Sequence, residues 1–192
     1  MDAFFIVYYK RGGYMYQRFL SKVSSLKTTI ISTIVFVLFM IIVLPFVSNY
    51  SDEVTGGAPS PDTAFFASPS DIYDIVSQYD ENARSIYINL RVTFDVVWPL
   101  VYFFFIAIGI YMLSKNKLDK KLYSIGLLTP LLAILFDFLE NMFAIVVMAL
   151  YPKEVPFLAY ALSISSALKW IVISFAFIWL IVLLIIFVTK KI

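Results

Sequence analysis

From Thr28 to Ser48 the chain reads TTIISTIVFVLFMIIVLPFVS, an apolar run without a charged side chain. Crossing the hydrocarbon core of a bilayer takes about 20 helical residues, and this run supplies them. In that medium an unpaired backbone N–H or C=O costs several kcal/mol, and a helix pairs these groups within the run itself. Three further stretches, 92–113, 122–150 and 157–188, are long and apolar enough to do the same. With 61% hydrophobic residues and a mean hydropathy of +0.89, the 192-residue chain exceeds the roughly 45–50% apolar content of soluble domains. The expected fold is all-α: a polytopic membrane protein forming one domain over 1–192, with four transmembrane helices in an up-down bundle. Basic residues precede the run at 28–48, as in a signal peptide. The run is too long for one, however, and no small-residue cleavage site follows, so a retained span is expected.

Loop charges set the expected orientation, because Lys and Arg near span ends stay on the cytoplasmic side. Lys10, Arg11, Arg18, Lys22 and Lys27 precede the first span, the stretch 114–121 carries four Lys, and Lys190 and Lys191 close the chain. The segment 49–91 instead holds seven acidic residues against Arg84 and Arg91. Both termini are therefore expected in the cytoplasm, with 49–91 outside and the cell membrane as the location. Residues 1–27 mix aromatics with Lys and Arg around Gly12-Gly13, which fits a segment lying in the inner interface. The basic loops are accounted for by topology and anionic lipid, so no nucleic-acid partner is implied.

Cys and His are both absent, which excludes disulfides, thiol chemistry and Cys/His metal centres. No metal site and no cofactor are expected, and the scattered glycines fit no phosphate-binding fingerprint. Within 49–91, SPSDIYDIVSQY has Ser68 and Asp71 spaced for a capping box around Pro69. Ile72, Ile75, Val76 and Tyr79 then repeat at i, i+3, i+4 and i+7, which predicts an amphipathic helix over 69–79, on the extracytoplasmic side. A second helix is expected to start after Asp80-Glu81-Asn82 and run unbroken into the second span. Inside it Pro99 lacks the N–H that would bond the carbonyl of Asp95, so a kink or a freed carbonyl is expected there.

The spans are not uniformly apolar. FDFLENM places Asp137, Glu140 and Asn141 at i, i+3 and i+4, on one face of the third helix. Counting about 1.5 Å per residue from the span ends puts Asp95, Glu140 and Lys169 at one level in the outer half of the membrane. Asp137 falls one turn deeper and Arg91 one turn further out. Lys169 either snorkels to the interface or forms an internal ion pair. Three readings suit these groups together with Tyr102. A membrane-embedded site could bind, or transform, a lipid or small amphipathic ligand. Carboxylates inside spans also serve proton- or cation-coupled transport, which with four spans would require a homodimer. The third reading is structural: buried pairs that only specify helix packing, within this chain or in an assembly with another membrane protein.

The run YDENARSIYINLRVTFDVVWPLVY followed by DFLEN resembles small prokaryotic four-span membrane proteins with D-x-x-x-P-x-x-Y on one span and D-[FY]-x-E-N on the next. The matching residues are Asp95, Pro99 and Tyr102, then Asp137, Glu140 and Asn141, within about 69–150. The resemblance implies a shared intramembrane site and no particular activity.

Overall fold

The structure, a computed structural model, describes residues 13–114 and 120–189. In chain order these form α1 (Gly13–Val23), α2 (Leu26–Thr55), a 3-10 turn (Pro61–Thr63), α3 (Pro69–Val76), α4 (Glu81–Val92), α5 (Phe94–Ser114), α6 (Lys120–Leu150) and α7 (Pro156–Thr189). No strand occurs among the described residues. Among the described residues, four helical stretches are long and apolar enough to cross a membrane: α2, α4 with α5, α6, and α7. The chain is thus a membrane protein with four candidate spans. Lys10, Arg11, the stretch 115–119, Lys190 and Lys191 lie outside the described residues.

α6 and α7 share the most extensive contact, α5 packs on both, and α2 leans mainly on α5. Two apolar clusters result. One gathers Tyr102, Ile106, Ile110, Leu127, Ala133, Ala176 and Leu183, with Leu20 of α1 inserted into it. The other joins Ile72, Val76, Tyr79 and Tyr87 to Ala144, Val147, Met148, Ala159 and Leu162. Close approach of α6 and α7 depends on Gly126, where a Cβ would run into the indole nitrogen of Trp179. In α3, Ser68 and Asp71 form the capping box that their spacing predicts, and Ile72, Tyr73 and Val76 are buried.

Two helices depart from the simplest reading of their sequences. The first continues through Pro45 to Thr55, past the expected end near 48, and ends at Gly56 in the left-handed conformation (φ 64°). Just before the proline it widens into a π segment, Phe39–Val43, with the Leu44 N–H donating to the carbonyl of Phe39. A proline removes one donor and crowds the carbonyl four residues earlier, and a π turn is one way to absorb both. The second helix is not unbroken: it is interrupted at Thr93, whose hydroxyl donates to the Asn89 carbonyl at 2.6 Å. This break lies just before Asp95, whose carbonyl the proline frees.

α2 carries no fully buried residue along its length. An aromatic seam holds it: Phe36 stacks on Phe105 at 4.2 Å and on Trp98 at 5.8 Å, and Phe39 stacks on Trp98 at 6.1 Å.

Candidate functional site

Between the two apolar clusters lies a polar layer. It occupies Arg91–Asp95 at the α4–α5 junction, Asp137–Asn141 on α6 and Lys169 on α7. Glu140 is 0% exposed, and Lys169 Nζ donates to its Oε1 at 2.6 Å, so the lysine forms the internal pair and does not snorkel. Arg91 is the hub. Its guanidinium meets Asp62 at 2.5 Å, Asp95 at 3.2 Å and Glu140 at 3.5 Å, donates to Asn141 Oδ1 at 2.9 Å, and lies over the Tyr87 ring. Although Arg91 starts one turn further out, its long side chain reaches the level of Glu140.

The two resembling motifs interlock as donor and acceptor. Pro99 leaves the Asp95 carbonyl without its helical donor, and the Asn141 amide fills that role at 2.9 Å. The second amide hydrogen of Asn141 goes to Asp137 Oδ1 at 3.1 Å, and Tyr102 donates to Asp137 Oδ2 at 2.9 Å. With its oxygen on Arg91, Asn141 has both N–H donors and its carbonyl engaged. The Asp, Pro and Tyr of one span are thus complementary to the Asp and Asn of the next.

Asp62 and Tyr87 belong to this layer and were not expected there. Asp62 sits in the 3-10 turn, which the 56–68 loop brings against α7 and α6. Tyr79 donates to the Pro59 carbonyl at 3.1 Å and Ser163 to the Ala64 carbonyl at 3.1 Å, pinning the loop on both sides of the turn. The Asp62 carboxylate then accepts from Arg91, from Ser60 and, at 3.2 Å, from Tyr87. Burial alone would raise its pKa, but the charges of Arg91 and Lys169 and the hydrogen bonds from Ser60 and Arg91 hold the carboxyl well below the ordinary 3.8. For Tyr79, burial and the Asp62 charge push the phenol up to about 12, so it keeps the proton it donates.

A cavity of about 1090 Å³ opens onto this layer between α2, the α4–α5 junction and α7. Arg91, Asp95, Asp137 and Lys169 line its floor, with Asp62 beside them. Tyr102, Glu140 and Asn141 stand behind that floor. The walls are apolar, with Phe36, Met40 and Leu44 of α2 facing Ile173, Phe177 and Ile178 of α7. Among the described residues, no group of three or more carboxylates is placed to hold a metal ion. The carboxylates are instead threaded by the two cations.

No protein-family model, curated protein or solved structure matches the chain.

Proposed function

We propose that this protein binds a lipid or small amphipathic ligand within the membrane, the tail lying between α2 and α7 and the polar end on the Arg91–Asp95–Lys169 floor. The cavity carries this reading: its volume suits a ligand-sized pocket, and apolar walls over a few convergent polar groups are the usual pattern of such sites. The peripheral position of α2, held by an aromatic seam, leaves a lateral route from the bilayer. In the accompanying topology both termini are cytoplasmic, the four spans run up and down, and α3 covers the outer mouth in the plasma membrane. The likeness to small four-span prokaryotic proteins fits this reading, since the residues of both motifs build the floor or brace it.

Native mass spectrometry of protein purified in a mild detergent tests the proposal. Co-purifying amphipath should be retained by the wild type and lost from Ser174→Trp, which fills the cavity wall from α7. Equal retention by both proteins would refute it. A purely structural role has one observation in its favour: Arg91 and Lys169 are both paired. That reading predicts that Ser174→Trp leaves every cellular phenotype of the protein unchanged.

A further inference from the structure

Resting on the cavity reading above, we infer that the ligand's polar end is cationic, an ammonium carried on an apolar chain, and that Asp95 receives it. Charge at the cavity is unevenly divided. Asp52, Asp62, Asp95 and Asp137 line it against Arg91 and Lys169, and the Glu140 carboxylate lies directly behind. The two cations are already spent. Arg91 is enclosed by three carboxylates, the Asn141 amide oxygen and the Tyr87 ring. Lys169 holds Glu140 at 2.6 Å and lies over the Trp170 ring. A phosphate or carboxylate arriving here would have to displace protein carboxylates from both cations while meeting the surplus negative charge.

Acceptor capacity remains open. The Asp95 side chain has the longer of the two ion pairs to Arg91 that face the cavity, 3.2 Å against 2.5 Å for Asp62. At 20% exposure it is also the most accessible of the ion-paired charges in the layer. Behind the floor, and so not itself an acceptor for the ligand, Glu140 Oε2 is buried with no hydrogen-bond partner, and its charge adds to the negative side of the balance at Asp95. Asp52, exposed near the end of α2, adds negative charge on the same cavity. An ammonium brings the positive charge and the N–H donors that this set lacks, and its apolar chain follows the α2 and α7 walls. Charge-assisted hydrogen bonds to a carboxylate are roughly twice as strong as neutral ones.

The test uses the full chain in uncharged alkyl maltoside micelles and three probes that share one alkyl chain: a primary alkylammonium, the alcohol and the alkyl phosphate. The ammonium should bind about tenfold or more tighter than the alcohol, the worth of a charge-assisted hydrogen bond, with the phosphate weakest. Asp95→Asn should collapse the ammonium-to-alcohol ratio toward one while alcohol binding persists, and Asp95→Glu should keep the preference. Asp52→Asn, exposed and harmless to folding, should lower the ratio about twofold, as expected for a surface charge. Displacement of the probe by a two-chain lipid ending in a primary ammonium would identify a bilayer lipid as the source. Displacement by the single-chain amine alone would identify a free amphipath. Either result supports the cationic assignment. Equal binding of all three probes, tightest binding of the phosphate, or a ratio unmoved by both Asp variants would overturn it while leaving the cavity reading standing. Binding of none of the probes would remove both.

Discussion

Lys169→Met removes one partner of the shortest contact between α6 and α7 in the layer, and its cost can be worked from the geometry. The Nζ–Oε1 distance is 2.6 Å, the glutamate side chain is 0% exposed and the lysine side chain 10%. Removing one member of a buried ion pair costs about 3–5 kcal/mol, because the other charge is left uncompensated. Here Arg91 still stands 3.5 Å from the same Oε1, which places the loss near the lower end, about 3 kcal/mol. For a chain of this size each kcal/mol shifts the thermal midpoint by about 2–4 °C, so a fall of about 6–12 °C is expected. The Lys169→Met, Glu140→Leu double variant should recover most of that loss, since well-packed apolar replacements of a buried pair are near neutral or stabilising. Unfolding in micelles followed by far-UV circular dichroism measures both. A single variant within about 2 °C of the wild type, which is under about 1 kcal/mol, would show that the pair does not hold the layer together.

Three further outcomes follow from the same layer and its supports. Asp62 is ionised with a depressed pKa in the folded chain, so its contribution is fully present above the unfolded value near 3.8 and is lost as pH falls below it. Asp62→Asn should therefore lower the thermal midpoint at pH 7, and the gap to the wild type should narrow only on acidification below about pH 4. Asn141→Leu should cost about 1–3 kcal/mol by stranding the Asp95 carbonyl, and less in a Pro99→Ala background, where the alanine restores a helical N–H. A cycle of midpoints with no coupling would contradict that account. Gly126→Ala should cost about 1–3 kcal/mol in chemical unfolding, because the new Cβ meets the edge of an indole ring. Gly109→Ala, which meets only the end of the Leu180 side chain at 2.8 Å, should cost less.

Much of the layer was legible because helices have fixed rise and period. The i, i+3, i+4 spacing of Asp137, Glu140 and Asn141 and the residue count to Lys169 place these groups face to face at one level. Pro99 marks a carbonyl in need of a donor, and the polar face of the neighbouring helix supplies it. Asp62 was not legible, since a loop has neither rise nor period and its reach depends on tethers such as Tyr79 to Pro59 and Ser163 to Ala64. The signal that could have found it is electrostatic: Arg91, placed near the membrane, needed more than Asp95 as a partner, and Asp62 lies in the loop above it. The π segment in α2 and the break at Thr93 were missed for a related reason. A proline states that the hydrogen-bond ladder must give way, but not where the neighbouring helices let it do so.

Whether the cavity between α2 and α7 holds an amphipath with its polar end on the charged floor is decided by an experimental structure in lipid bilayer discs. Continuous elongated density is expected along Phe36, Met40, Ile173 and Phe177, ending within hydrogen-bond distance of Asp95. A cavity closed by α2 packed directly against α7 over a dry, self-paired layer would contradict it.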